Sequence, residues 1–201
     1  MVAPMISKIE EILAEKLVGD DVKYFDNYKK VKGATEEEIR ALEKEFDISL
    51  PDGFRELYRY KDGSSYPFEL FYATYDEECQ GSFQFLSLAE IRELKALPFF
   101  NENKLMEECD GFFSKKDIAR LDNRIKPFIH NKRWIPFAEL PMSDLYLILD
   151  YDPTEKGTLG QIIIYVHDPD FTYYVCTDIT ELLQATISNL ENGWYEEVHG
   201  Y

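Results

Sequence analysis

The sequence predicts an α+β fold, an antiparallel sheet of about five to six strands packed with helices. Three observations carry this. Apolar residues recur every three or four positions near both ends of the chain and between residues 35 and 58. Four runs of strand length follow one another between Trp134 and Cys176, joined by short polar stretches. Joints that short leave no room for a crossover helix, so neighbouring runs pair antiparallel. Helices first, strands next and a helix last is the α+β order rather than a βαβ alternation.

Each element has its own signal. Ile6, Ile9, Ile12, Leu13 and Leu17 share one helical face, so residues 5–18 are a predicted amphipathic helix ended by Gly19-Asp20-Asp21. Residues 20–33 read as a polar, Lys-rich connector. Thr35 and Glu38 have the spacing of a capping box, and Ile39, Leu42 and Phe46 give a helix near 36–46 its apolar stripe. Leu50-Pro51 opens a third helix, because proline suits a first turn. Phe54, Leu57 and Tyr58 line it and Asp62-Gly63 stops it. Aromatic alternation makes 67–75 a strand, and 82–86 a second. Ser87 and Glu90 form another capping box before a short helix with Ile91 and Leu94. The stretch 98–133 mixes charges with Phe99, Phe100, Phe112 and Phe113, and reads as an irregular insertion with one helix near 115–124. Strands follow at 134–138, 144–151, 160–167 and 171–176. Asp178 and Glu181 cap a closing helix lined by Leu182, Leu183, Ile187 and Leu190, which Gly193 ends. The expected core includes Leu42, Phe54, Leu57, Trp134, Leu147 and Ile163. The expected organisation is a helical extension over 1–33, a main domain over 34–192 with an insertion near 98–133, and a tail over 193–201.

The net charge of −17 is unevenly spread: from Trp134 onward twelve acids face one base, Lys156. Such a field repels nucleic acid and anionic membranes, whose binding rests on neutralised phosphates. It attracts basic proteins and speeds their association. Cys79, Cys109 and Cys176 have no metal-ligand spacing, and an odd number argues against a disulfide framework. Cys79 and Cys109 each follow two glutamates, which disfavours a thiolate. Met1-Val2-Ala3-Pro4 carries neither a basic segment nor an apolar run, so a cytoplasmic protein is expected.

Catalytic constellations are missing. His130, His167 and His199 stand far apart, and no Ser-His-Asp or Cys-His arrangement follows from spacing. Asp144, Asp150 and Asp152 allow a Mg²⁺ reading, but Asp150 and Asp152 flank a turn whose amides they are better placed to hold. Gly157 and Gly160 sit among acids and lack a phosphate-loop pattern. Trp134 precedes a buried-strand run, whereas Trp194, beside Tyr195, is the tryptophan expected to be partly exposed. Neither a cofactor nor a metal site is expected.

Two blocks resemble a known family. The first is Glu37, Ile39, Leu42, Glu43, Leu50-Pro51, Phe54, Leu57 and Gly63. The second is Trp134-Ile135-Pro136-Phe137-Ala138, Asp144-Leu145, Asp150-Tyr151-Asp152-Pro153, Gly157 and Gly160-Gln161, preceded by Phe85-Leu86-Ser87-Leu88. In this order they resemble the SUKH superfamily, the Smi/Knr-type domain. The resemblance implies a SUKH-like α+β fold and no general set of catalytic residues. It also implies a protein-binding role: bacterial members act as immunity proteins against toxins that are often nucleases, and fungal members act as regulatory scaffolds.

The expected function is therefore a non-catalytic immunity protein that neutralises a cognate toxin, a basic protein and in the first instance a nuclease, through an acidic surface. A regulatory or scaffold module of the same fold is the alternative. A metal-dependent hydrolase using Asp144, Asp150 and Asp152 is the second. The expected partner-binding residues are Asp152 and Glu155 in one hairpin loop and Asp168 and Asp170 in the next, with both hairpins open toward one partner. Glu139 and Asp144 are second choices.

Overall fold

Side chains that cap helix ends set where four of the helices begin. The computed structural model describes residues 2–76, 79–109 and 111–200. Met1, Asp110, the two glutamates before Cys79 and the last residue of the expected tail lie outside the described residues. In chain order the helices are α1 (Ala3–Lys16), α2 (Asp21–Lys30), α3 (Glu36–Phe46), α4 (Asp52–Tyr60), α5 (Leu88–Lys95), α6 (Pro98–Asn101), α7 (Lys115–Arg120), α8 (Ile179–Glu191) and α9 (Trp194–His199). The strands are β1 (Glu69–Thr74), β2 (Gln80–Phe85), β3 (Lys104–Leu105), β4 (Phe128–His130), β5 (Trp134–Leu140), β6 (Leu145–Asp150), β7 (Gln161–Val166) and β8 (Phe171–Cys176). Reciprocal capping boxes open α3 at Thr35 and Glu38, α5 at Ser87 and Glu90, and α7 at Ser114 and Asp117. At α8 the Asp178 carboxylate accepts from the amides of Thr180 and Glu181, while Glu181 reaches back to the amide of Thr177 instead of closing the box.

Three stretches are more ordered than their sequence suggests. The connector over 20–33 contains α2, because Phe25 and Tyr28, one helical turn apart, are buried against Phe68 with ring centroids 5.4 and 4.8 Å away. Its lysines stay on the wet side, which is why composition alone reads as linker. The stretch 98–133 holds α6, the β3–β4 pair, a single 3₁₀ turn over Met106–Glu108 and α7. The residues after Gly193 form α9, whose Trp194 is partly buried against the core.

Six strands form one antiparallel sheet in the order β1-β2-β5-β6-β7-β8, curled so that Tyr75 after β1 and Tyr173 in β8 come within 6.1 Å, centroid to centroid. Alternation along its middle strands sends side chains to two separate cores. Ile135, Phe137, Leu147, Leu149, Ile162 and Ile164 join the larger core with Leu42, Phe54 and Leu57 from the helices. Trp134, Ile148 and Ile163 point the other way, into a second core completed by Phe100, Met106, Ile125 and Ile129. All six expected core residues are buried. The edge strand β1 is shielded: the Tyr72 amide donates to Thr186 Oγ1 at 3.2 Å, and Asn189 of α8 donates to the Tyr72 carbonyl at 2.9 Å. A sheet edge so covered offers no template for a foreign strand.

The segment that covers the second face is fastened by one buried cation. Lys95, at the end of α5 and only 6% exposed, donates to the carbonyls of Phe100, of Lys132 at 2.7 Å and of Trp134 at 3.1 Å. Phe100 begins that segment, and Lys132 and Trp134 end it. The other buried charge, Asp150, accepts from the Asp152 amide at 2.9 Å and from Gln161 Nε2 at 3.1 Å, so it organises the loop between β6 and β7.

Lys95→Met is expected to leave three carbonyls without their donor and to cost at least about 2 kcal/mol in urea unfolding, with faster proteolysis inside 98–133. Asp150 generates a pH signature. Burial pushes its carboxyl up to about 6 from an ordinary 3.8. Between those values the folded state holds more protons than the unfolded one, so this group's contribution falls as pH rises from about 4 to about 6. Asp150→Asn should remove that limb from the melting temperature plotted against pH.

Candidate functional site

In an antiparallel meander consecutive turns lie at opposite ends of the sheet, and this divides the six expected partner-binding carboxylates. Asp152 and Glu155 lie in the loop between β6 and β7. Asp168 and Asp170 lie in the turn after β7, at the other end of a six-residue strand, about 20 Å away. The two hairpins therefore lie at opposite ends of the sheet. Glu139, near the end of β5, and Asp144, in the turn that follows it, are at the same end as Asp168 and Asp170. Four of the six are thus gathered, including both second choices.

Their environments differ. Asp152 is engaged by Lys126 and by Asn131 Nδ2 at 3.2 Å, which ties the loop to the segment ahead of β5. Glu155, Asp144 and Asp168 are exposed. Glu139 is half-buried, and that burial raises its carboxyl above the usual range, with Glu90 and Asp144 adding repulsion. Asp170 accepts from Tyr165 Oη and lies 2.6 Å from His167 Nδ1. That hydrogen bond, with its accompanying charge attraction, raises the His167 imidazole above its ordinary value.

Between these carboxylates runs an aromatic groove. A cleft of about 320 Å³ is lined by Leu97, Phe99, Phe100, His130, Tyr146 and Tyr165, with Asp144, His167 and Asp170 on it. The Phe99 ring packs on Tyr165 at 4.4 Å and on His130 at 4.6 Å. Asp170 and His130 also line a second cleft of about 300 Å³ that contains Phe112 and Phe113. Those two phenylalanines and Asp170 belong to a third, of about 250 Å³, which reaches Arg120 and Tyr173. Shared walls make the three one continuous depression along the 98–133 segment. Leu97 and Phe112, which line it, are 48% and 64% exposed, and Met142, in the turn that carries Asp144, is 96% exposed. Apolar side chains gathered in this way, with a polar rim, mark binding surfaces more often than isolated ones do. Charge alone drew attention to the carboxylates. The paired phenylalanines at 99–100 and 112–113 were the signal for the groove, unreadable while their segment looked irregular.

The groove combines aromatic rings with two histidines and two carboxylates. Among the described residues no group of His, Cys, Asp and Glu is arranged to hold a metal ion. Asp144 sits at the start of β6 and Asp150 at its end, so the carboxylates of the hydrolase alternative are not brought together. The Cys109 thiol is directed at the Leu105 carbonyl, 3.7 Å away, and Cys176 is buried, with its thiol pushed up to about 12. No helix among the described residues is long and apolar enough to cross a membrane.

With the geometry in hand, comparison with known proteins is informative. The sequence model of the SMI1 / KNR4 family (SUKH-1) matches residues 33–185. A protein named KNR4/SMI1 homolog 2, from the yeast Debaryomyces hansenii, is 30% identical over 74 residues, a stretch covering 37% of this chain and 12% of that protein. The segments outside the family match are α1, α2, the end of α8 and α9.

The Asp170 contact can be checked directly. In an NMR titration the His167 midpoint should lie above about 6.5, the ordinary histidine value, and Asp170→Asn should lower it while the protein stays folded, because the amide oxygen still accepts from Tyr165 Oη.

Proposed function

We propose, because this chain belongs to the SMI1 / KNR4 family (SUKH-1), that it is a non-catalytic immunity protein which binds a cognate bacterial toxin in the cytoplasm and blocks it. The family is generally non-catalytic and is associated with the binding of partner proteins. The observation that carries the finer reading is the aromatic groove with Asp144 and Asp170 on its wall, and Glu139 and Asp168 at the same end of the sheet. A nuclease needs a basic cleft to hold phosphates, and a protein can fill that cleft by presenting carboxylates where phosphates would lie. Leu97, Phe112 and Met142 would then anchor the contact while the acids steer the encounter and set its register.

A regulatory scaffold of the same fold is the second reading, and the similarity to a yeast protein favours it. The two part at the gene next door. An immunity protein has a toxin gene beside its own, and its product should be captured from a co-expression.

The surface is tested by rate. Association with the captured toxin should slow steeply as salt rises. Charge reversal by Asp144→Lys and Asp168→Lys together, both exposed, should lower the on-rate at least about tenfold at low salt while the protein stays folded. Reversal of Asp152 and Glu155, at the other end of the sheet, serves as the comparison. A salt-independent on-rate, or a larger loss from the second pair, would move the interface away from the groove.

A further inference from the structure

The family match leaves out the first two helices and the last one, and where they meet the sheet they enclose a second cleft. It measures about 180 Å³ and shares no lining residue with the aromatic groove. Its wall carries the carboxylates of Asp21 and Glu69 and the rings of Tyr24, Phe68, Tyr72 and Tyr195. Asp21 is satisfied by the Tyr195 hydroxyl, which donates to it at 2.6 Å. Glu69 is compensated less directly. Its Oε2 is sealed from solvent, and what offsets its burial comes from Ser82 and His199. The basic side chain facing it is His199, with Nε2 3.5 Å away, and the same nitrogen lies 3.4 Å from the Tyr72 hydroxyl. Lys16, at the end of α1, is engaged by Glu196 at 2.6 Å. Burial holds the Glu69 carboxyl above its usual range, as expected of a charge with too little compensation.

A sealed carboxylate oxygen short of donors, set among aromatic rings, is the composition that recognises an ammonium or a guanidinium and rejects anions. The size agrees: a cavity of roughly 150 Å³ admits a benzene-sized guest, so about 180 Å³ has room for the head of a lysine or arginine side chain. The surroundings favour a side chain carried by a polypeptide. Val22, Tyr66 and Val198 are large, apolar and 44%, 61% and 39% exposed. They stand next in the chain to Asp21, Pro67 and His199 of the cleft wall.

We propose that the cleft between α2, β1 and α9 binds a lysine or arginine side chain of a partner polypeptide, with Glu69 as its counter-ion and His199 as the internal group it displaces. This site is independent of the toxin-binding reading, since it uses other residues and other parts of the chain.

Titration of the full chain by NMR with an arginine flanked by two leucines in a capped peptide, and separately with butylamine, tests the assignment at concentrations up to about 20 mM, a range suited to millimolar affinity. Saturable shifts at Tyr72 and His199 are expected with both probes, with the peptide binding at least about threefold tighter because of its apolar flanks. Glu69→Gln should weaken the peptide at least about tenfold, and His199→Ala should tighten it by removing the competitor. Equal affinity for both probes would overturn the polypeptide assignment in favour of a free amine. Absence of saturation in both the wild type and folded His199→Ala, or unchanged binding in Glu69→Gln, would overturn the site itself.

Discussion

The middle strands of this sheet have two dry faces, and the rest of the architecture follows from having to cover both. A sheet with one wet side shows alternation of apolar and polar residues, whereas a sheet buried on both sides shows continuous apolar runs. Ile162-Ile163-Ile164 in β7 and Leu147-Ile148-Leu149 in β6 are such runs, and each is fully buried. One face is covered by α3, α4 and α8, as helices cover sheets in many α+β proteins. The other is covered by a segment with little regular structure. Phe100, Met106, Ile125 and Ile129 supply the apolar contact there, and Lys95 supplies the anchorage.

Legibility in the sequence tracked locality. The boxes at Thr35 and Ser87 act over three residues, and both were readable. The strands after Trp134 were readable for the same reason, since period and turn chemistry are local. The stretch over 20–33 was misread because Phe25 and Tyr28 need Phe68 to become a helix face. In the segment 98–133 the helix near 115–124 was readable and stands as α7, while α6 and the β3–β4 pair were not, because their order comes from the sheet beneath and from a lysine outside the segment. The carboxylates of the candidate face were visible as a charge excess. Their division between two ends was not used, although the meander order already contained it.

The two blocks that suggested the family are explained by where they meet. The Tyr151 hydroxyl donates to the Ser49 carbonyl at 2.8 Å, just ahead of Leu50-Pro51. Gly160 has φ +79°, which favours glycine, and a Cβ there would stand 3.2 Å from Pro51 Cγ. Gly157 is required for a different reason: a Cβ would come within 2.7 Å of the Arg124 carbonyl, where the covering segment docks on the loop. Asp150 and Gln161 hold the inside of that loop. These residues build a joint between distant parts of the chain. That explains how a signature so specific for a fold can be silent about a partner.

The anchorage at Lys95 bears on how such a protein can change. The ammonium clasps the covering segment near its first residues and again at its end, so what lies between is a closed loop with fixed feet. Closing a longer loop between the same feet costs entropy only logarithmically. Residues between α6 and β4 can therefore be lengthened, shortened or exchanged while the sheet beneath keeps its seal, provided a few apolar side chains still reach it. Phe112 and Phe113, which line the depression, lie inside that tolerant stretch. A lineage pressed to follow a changing adversary could rewrite this part of its surface without renegotiating its fold.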